Sequence, residues 1–138
     1  MSETKARMLH TMLRVHDLDK SVDYYTKLLG MKLLRKREVP EGKYTLAFVG
    51  YGDEENSTVI ELTHNWGHEP YNLGDGYGHV AFVVEDLDGE HRRFEAEGLK
   101  PRKIVEFNKD GKPIARFFFV EDPDGYKIEV LQKLGRFR

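Results

Sequence analysis

The sequence predicts an α+β fold: two tandem βαβββ modules arranged as a curved mixed sheet. Two observations carry this. First, the chain is written twice. His10-Thr-Met-Leu-Arg-Val-His-Asp-Leu-Asp19 aligns with His79-Val-Ala-Phe-Val-Val-Glu-Asp-Leu-Asp88, and His, Val, Asp, Leu and Asp coincide at an offset of 69 residues. Second, each copy passes from strand-like into helical periodicity and stops at a glycine, Gly30 in one and Gly98 in the other. A further strand then matches between copies, Ile60-Glu61-Leu62 against Ile128-Glu129-Val130 at an offset of 68. A fixed internal offset of this kind marks a duplicated structural unit.

The elements follow in order. Met8 to Val15 is rich in β-compatible residues and reads as a strand. Asp19 is the expected N-cap of a helix whose Leu18, Val22, Tyr25 and Leu29 recur at helical spacing up to Gly30. A short strand is expected over Met31 to Arg37. Tyr44 to Tyr51 and Thr58 to Thr63 are strands joined by the polar turn Gly52 to Asn56. The second copy runs Gly78 to Val84 (strand), Asp88 to Glu97 (helix), Pro101 to Val105 (short strand) and Ala115 to Val120 (strand). The turn Asp122-Pro-Asp-Gly125 and the strand Tyr126 to Leu131 complete it. Glu106 to Pro113 reads as a loop. One domain therefore spans 8–132, built of modules 8–66 and 77–132, with 1–7 and 133–138 as tails. A module of about 60 residues is marginal alone, so the two should share one core.

Composition narrows the function classes. Lys plus Arg number 22 against 24 Asp plus Glu, a net charge of -2, which argues against a nucleic-acid footprint. The clusters Arg35 to Arg37 and Arg102-Lys103 read as solvated surface. No apolar run approaches the ~20 residues of a membrane helix, and the polar first ten residues carry no secretory signal, so a cytoplasmic protein is expected. The absence of cysteine excludes disulfides, Cys-ligated zinc and thiol catalysis.

Strand alternation then sets four side chains apart. Leu9, Leu13 and Val15 share one face of the first strand, and Met8, His10, Met12 and Arg14 the other. In the later strand Ile60 and Leu62 oppose Val59, Glu61, Thr63 and Asn65. In the second copy Val80, Phe82 and Val84 oppose His79, while Tyr126, Ile128 and Val130 oppose Glu129. The helices cover the apolar faces, so His10, Glu61, His79 and Glu129 project from the opposite one. A lone strand His or Glu is ordinarily a surface residue; one of each per copy is a pattern. Two adjacent carboxylates repel unless a cation joins them. Two imidazoles and two carboxylates suit a first-row divalent ion such as Ni, Co, Mn, Fe or Zn. His16, His64, His68 and His91 have no such partners and are read as ordinary packing or surface residues. Trp66, Tyr71 and Tyr77, around the linker, fit a pocket wall or core packing equally.

Leu9-His-Thr-Met-Leu-Arg14-Val, Ala47-Phe-Val-Gly-Tyr-Gly52, Val59-Ile-Glu-Leu-Thr63, Asn65-Trp-Gly67, Tyr77-Gly-His79 and Val120-Glu-Asp-Pro-Asp-Gly-Tyr-Lys-Ile-Glu129 resemble glyoxalase I (lactoylglutathione lyase) of the vicinal oxygen chelate superfamily. The resemblance covers roughly residues 8–132. It implies a homodimer with metal sites at the subunit interface and metal ligands at His10, Glu61, His79 and Glu129. The reaction implied is isomerisation of the methylglyoxal–glutathione hemithioacetal to S-lactoylglutathione through an enediolate. Glu129 would be the main base and Glu61 a ligand and partner. The short chain resembles the nickel-activated class, with Co or Zn as substitutes. Arg14, Asn65 and Lys103 would bind glutathione. Arg14 lies four residues beyond His10 and Asn65 four beyond Glu61, roughly 13 Å of strand, a fitting span between a reacting carbon and a distant carboxylate. His64 stands where the family often has Tyr. The extended stretch Glu106 to Pro113 is expected to edge the cleft, which leaves the thiol, glutathione or a related one, open. Superfamily alternatives are acyl-CoA epimerases, ring-cleaving dioxygenases with two His and one carboxylate, and metal-free small-molecule binders.

Overall fold

The structure is a computed structural model that describes residues 5–138, so the start of the expected 1–7 tail lies outside the described residues. The chain divides into two compact units, the first running to Tyr71 and the second spanning Asn72–Arg138. The first holds β1 (His10–Arg14), α1 (Leu18–Asp23, continued by a π-helical turn Tyr24–Leu28), β2 (Lys32–Val39), β3 (Tyr44–Gly50) and β4 (Val59–Asn65). The second repeats the order with β5 (His79–Val84), α2 (Leu87–Ala96), β6 (Val105–Lys109), β7 (Lys112–Glu121) and β8 (Lys127–Gln132).

The strands form two four-stranded sheets, ordered β1-β4-β3-β2 and β5-β8-β7-β6, where the sequence suggested one mixed sheet. The last strand of each module inserts beside its first, so each sheet is completed within its own module. That pairing is parallel (β1 with β4, β5 with β8) and the others are antiparallel. Each helix lies on the face formed by the predicted apolar positions. In the first unit Leu13, Val15, Ala47, Val49, Ile60 and Leu62 are buried with Leu18 of α1 and Tyr25 of the π-helical turn; in the second Phe82, Phe118, Val120, Ile128 and Val130 are buried with Leu87 and Phe94 of α2.

The first helix begins two residues earlier than predicted and the second one residue earlier. Asp17, not Asp19, caps α1 by accepting from the Lys20 N–H (3.1 Å), and Asp86 caps α2 through Gly89 N–H (3.1 Å). Leu18 and Leu87 open the helices and are buried. The cap must therefore precede them, which leaves Asp19 free to pair with Lys36 at 3.1 Å.

The shift of repeat offset from 69 to 68 has a visible cause. At the end of α2 the Leu99 N–H reaches back five residues to the Phe94 carbonyl; the corresponding bond after α1 runs from Met31 to Tyr25, spanning six. The extra residue of the first copy is taken up by the π-helical turn Tyr24–Leu28, the usual way a helix absorbs a one-residue insertion. Gly30 and Gly98 then both end their helices at positive φ (72° and 77°).

The stretch 106–113 is corrected. It is a β-hairpin, not a loop: β6 pairs with β7 through Asp110 and Gly111, both at positive φ (53° and 77°), as a tight two-residue turn requires. The short strand expected over Pro101 to Val105 accordingly lies further along, at Val105–Lys109. The ordered chain also extends past 8–132. Arg7 donates to the Glu54 and Ser57 carbonyls, and Lys133 N–H to the Val84 carbonyl.

Candidate metal centre

In the first unit β1 and β4 run parallel with Met12 opposite Glu61, and β3 places Phe48 on the other side of Glu61. His10, one strand period before Met12, points from the same face. Its Nε2 lies 3.1 Å from Glu61 Oε1, and its ring meets Phe48 edge-on at 5.4 Å. The second unit repeats this arrangement. Glu129 stands between Ala81 and Phe119, His79 Nε2 lies 3.3 Å from Glu129 Oε1, and the His79 ring meets Phe119 edge-on at 5.2 Å. In each pair the carboxylate is largely covered (17% and 16% exposed) and the imidazole is more open (35% and 42%).

These separations test whether the pairs fit a metal. Two donors each ~2.1 Å from one ion stand ~3.0 Å apart along an octahedral edge and ~3.4 Å along a tetrahedral one. Both pairs fall in that range. Among the described residues no group of three or more His, Cys, Asp or Glu side chains collects around one point, and each unit carries its own His–Glu pair.

Arg14 and Asn65 share the face of His10 and Glu61: Arg14 pairs with Thr63 in the ladder and Asn65 ends β4 opposite Tyr44. Lys103 is exposed between α2 and β6. A cavity of about 300 Å³ nearby is lined by Lys100, Arg102, Phe119, Glu121 and Lys127, without Lys103. The four other histidines are not part of either His–Glu pair. His91 Nε2 lies 2.8 Å from the Arg102 carbonyl and packs on Phe118; His68 stacks on Tyr71. Trp66 donates to Thr45 Oγ1 at 2.8 Å, and Tyr77 packs edge-on against Tyr126.

Three residues beside the two His–Glu pairs were not singled out by strand alternation. Phe48 and Phe119 occupy matching places in Ala47-Phe48-Val49 and Phe118-Phe119-Val120, a correspondence visible in the sequence. Arg35, expected to be plain solvated surface, holds its guanidinium 4.2 Å over Phe48 and forks onto Glu54 at 2.8 and 3.1 Å. The hydrogen bond from Arg35 holds Glu54 below the ordinary carboxylate range, and the same bond raises Arg35.

Comparison with known proteins supplies the family. Residues 7–130 match the model of the Glyoxalase/Bleomycin resistance protein/Dioxygenase superfamily. The chain is 54% identical over 127 residues to the lactoylglutathione lyase of Neisseria meningitidis, covering 92% of this chain and 91% of that one. It is 51% identical to the lactoylglutathione lyase of Escherichia coli O157:H7 (92% and 93% covered). Among solved structures, the trypanothione-dependent glyoxalase I of Leishmania major is similar at a TM-score of 0.79 and 47% identity, covering 94% of this chain and 88% of that one. Glyoxalase I of Zea mays aligns at a TM-score of 0.84 and 43% identity over 93% of this chain and 45% of the longer maize chain. With a repeated His–Phe–Glu trio standing on the strands that carry these matches, the chain belongs to the Glyoxalase/Bleomycin resistance protein/Dioxygenase superfamily.

Proposed function

We propose that this chain is a lactoylglutathione lyase, a glyoxalase I, converting the hemithioacetal of methylglyoxal and a thiol into a 2-hydroxyacyl thioester. The observation that carries the proposal is the recurrence of one His–Glu pair, backed by one Phe, at the same ladder position in both modules. High identity to proteins of that activity supports it. His10, Glu61, His79 and Glu129 would hold one divalent ion, one pair from each module, completed in a homodimer. The four-donor set with nitrogen and oxygen ligands suits nickel, with cobalt or zinc as substitutes. When bound, the ion supplies Lewis-acid stabilisation of negative charge on neighbouring substrate oxygens.

The chain's own groups do the rest. The reaction moves a proton from the carbon bearing sulfur to the adjacent carbonyl carbon, with no net redox. Glu129 takes that proton and returns it. A carboxylate held beside its target and shielded from water suits this role. Glu61 stays in place as ligand. Arg14 and Asn65, on the His10 face, bind the polar end of the thiol; an Arg fork fits its carboxylate. Lys103 is a further candidate for that end. A dioxygenase built on two His and one carboxylate would leave Glu61 without a role. The thiol is glutathione by likeness to the bacterial relatives, and the Leishmania enzyme makes trypanothione the alternative to test.

The test strips the protein of metal, restores Ni, Co, Zn or Mn singly, and follows thioester formation from methylglyoxal with glutathione or trypanothione. Thioester formation that depends on added Ni or Co is expected. No thioester with any metal and either thiol would end the proposal.

A further inference from the structure

The two carboxylates have the same place in the repeat but different neighbours. Glu61 Oε1 faces His10, and its other oxygen, Oε2, accepts a hydrogen bond from Thr63 Oγ1 at 2.8 Å. Thr63 is buried (6% exposed), two residues along β4 on the same face. Its hydroxyl therefore has little competition from water. In the second module the residue two beyond Glu129 is Leu131, equally buried at 6% and in the same ladder position. Leucine has no donor. Among the described residues Glu129 Oε1 faces His79, and Glu129 Oε2 receives no counterpart of the Thr63 bond.

Resting on the function proposed above, we infer that Thr63 is a positioning residue that immobilises Glu61 as a permanent ligand, and that Leu131 leaves Glu129 free to rotate. The duplication thus supplies two carboxylates, and one side chain next to each divides their work. A carboxylate with both oxygens engaged loses little further freedom on binding a metal, and hydrogen-bonded outer partners of this kind typically tune metal affinity by about 10- to 100-fold. A carboxylate that must leave its resting position and take a proton gains from the absence of such a bond.

The experiment uses the full-length protein as wild type, Thr63→Val, Thr63→Ser and Leu131→Thr. Nickel affinity is measured by competition with a chelating dye, and turnover of the hemithioacetal at saturating nickel. Thr63→Val should bind nickel about 10-fold more weakly, and Thr63→Ser should restore affinity to within about 2-fold, because it returns the hydroxyl. Leu131→Thr should keep or raise nickel affinity while kcat falls about 10-fold, with KM little changed. Unchanged affinity in Thr63→Val, or unchanged kcat in Leu131→Thr, would overturn the inference. A wild type that binds nickel but forms no thioester would instead sink the proposed function, and the affinity arm would still judge Thr63. Thermal melting of each apo variant separates loss of the bond from loss of the fold, and the Ser variant retains the test if Val disrupts packing.

Discussion

The two modules keep one skeleton and differ in what surrounds it. His10, Phe48 and Glu61 in the first correspond to His79, Phe119 and Glu129 in the second, with the same ring contact and the same pairing across strands. Around the first trio the face is polar: Arg14, Thr63, Asn65 and, over Phe48, Arg35. The places of Arg14 and Thr63 are taken in the second module by Val83 and Leu131, and Phe117 packs on Phe119 and Phe107 beside them. The contrast lies at those two places: Arg14 and Thr63 bring polar groups beside Glu61, while Val83 and Leu131 bring none beside Glu129.

The largest expected effect breaks the equivalence of the two carboxylates. Glu129→Gln should retain metal and lose about 10²- to 10⁴-fold in kcat, the usual worth of a positioned base. Glu61→Gln should lose metal affinity first and recover much of its turnover at high nickel. Equal kinetic losses in both variants at saturating metal would mean that the halves share the proton transfer.

A smaller effect tests recognition. Arg14→Ala should raise KM about 10-fold or more with little change in kcat, as expected when binding common to ground and transition states is removed. Val83→Ala, at the matching place in the second module, should leave KM for the thiol end within about 2-fold. A steady-state comparison of the two variants with glutathione decides it. An unchanged KM in Arg14→Ala would move thiol recognition away from the first half.

What was legible in the sequence follows the same line. Strand alternation and the repeat put His10 beside Glu61 and His79 beside Glu129, as the strands do, because period-two patterning survives duplication. The site-facing places of Arg14 and Asn65 followed from the same count. The N-cap was displaced because Asp17-Leu18-Asp19 offers two capping residues, and only burial of Leu18 chooses between them. The hairpin at 105–121 was missed although Asp110-Gly111 is a strong turn signal, since Lys109 and Lys112 beside it made the stretch look like a solvated loop. Arg35 was out of reach for a different reason. Its contact with Phe48 crosses between strands through a register irregularity between Leu33 and Arg35, and no local pattern encodes that. The Thr63 bond likewise depends on rotamers, not on spacing.

The smallest expected effect separates the two helix starts. Asp88, in the first turn of α2, accepts both fork nitrogens of Arg116 at 3.1 and 3.2 Å, and this bonding holds its pKa below the ordinary aspartate value. Asp19, its counterpart in α1, meets a single Lys36 ammonium at 3.1 Å. A depressed folded pKa means that the Asp88 contribution is fully present above the unfolded value near 4 and is lost as pH falls through the folded one. Asp88→Asn should therefore lower the melting temperature slightly at neutral pH, and the gap to wild type should close as the pH drops below about 4. Asp19→Asn should give a smaller shift, since one flexible ammonium orders less than a planar fork. Thermal melts of the two variants from neutral to acid pH make the comparison. A gap for Asp88→Asn that persists unchanged in acid would assign its effect to helix packing instead of charge.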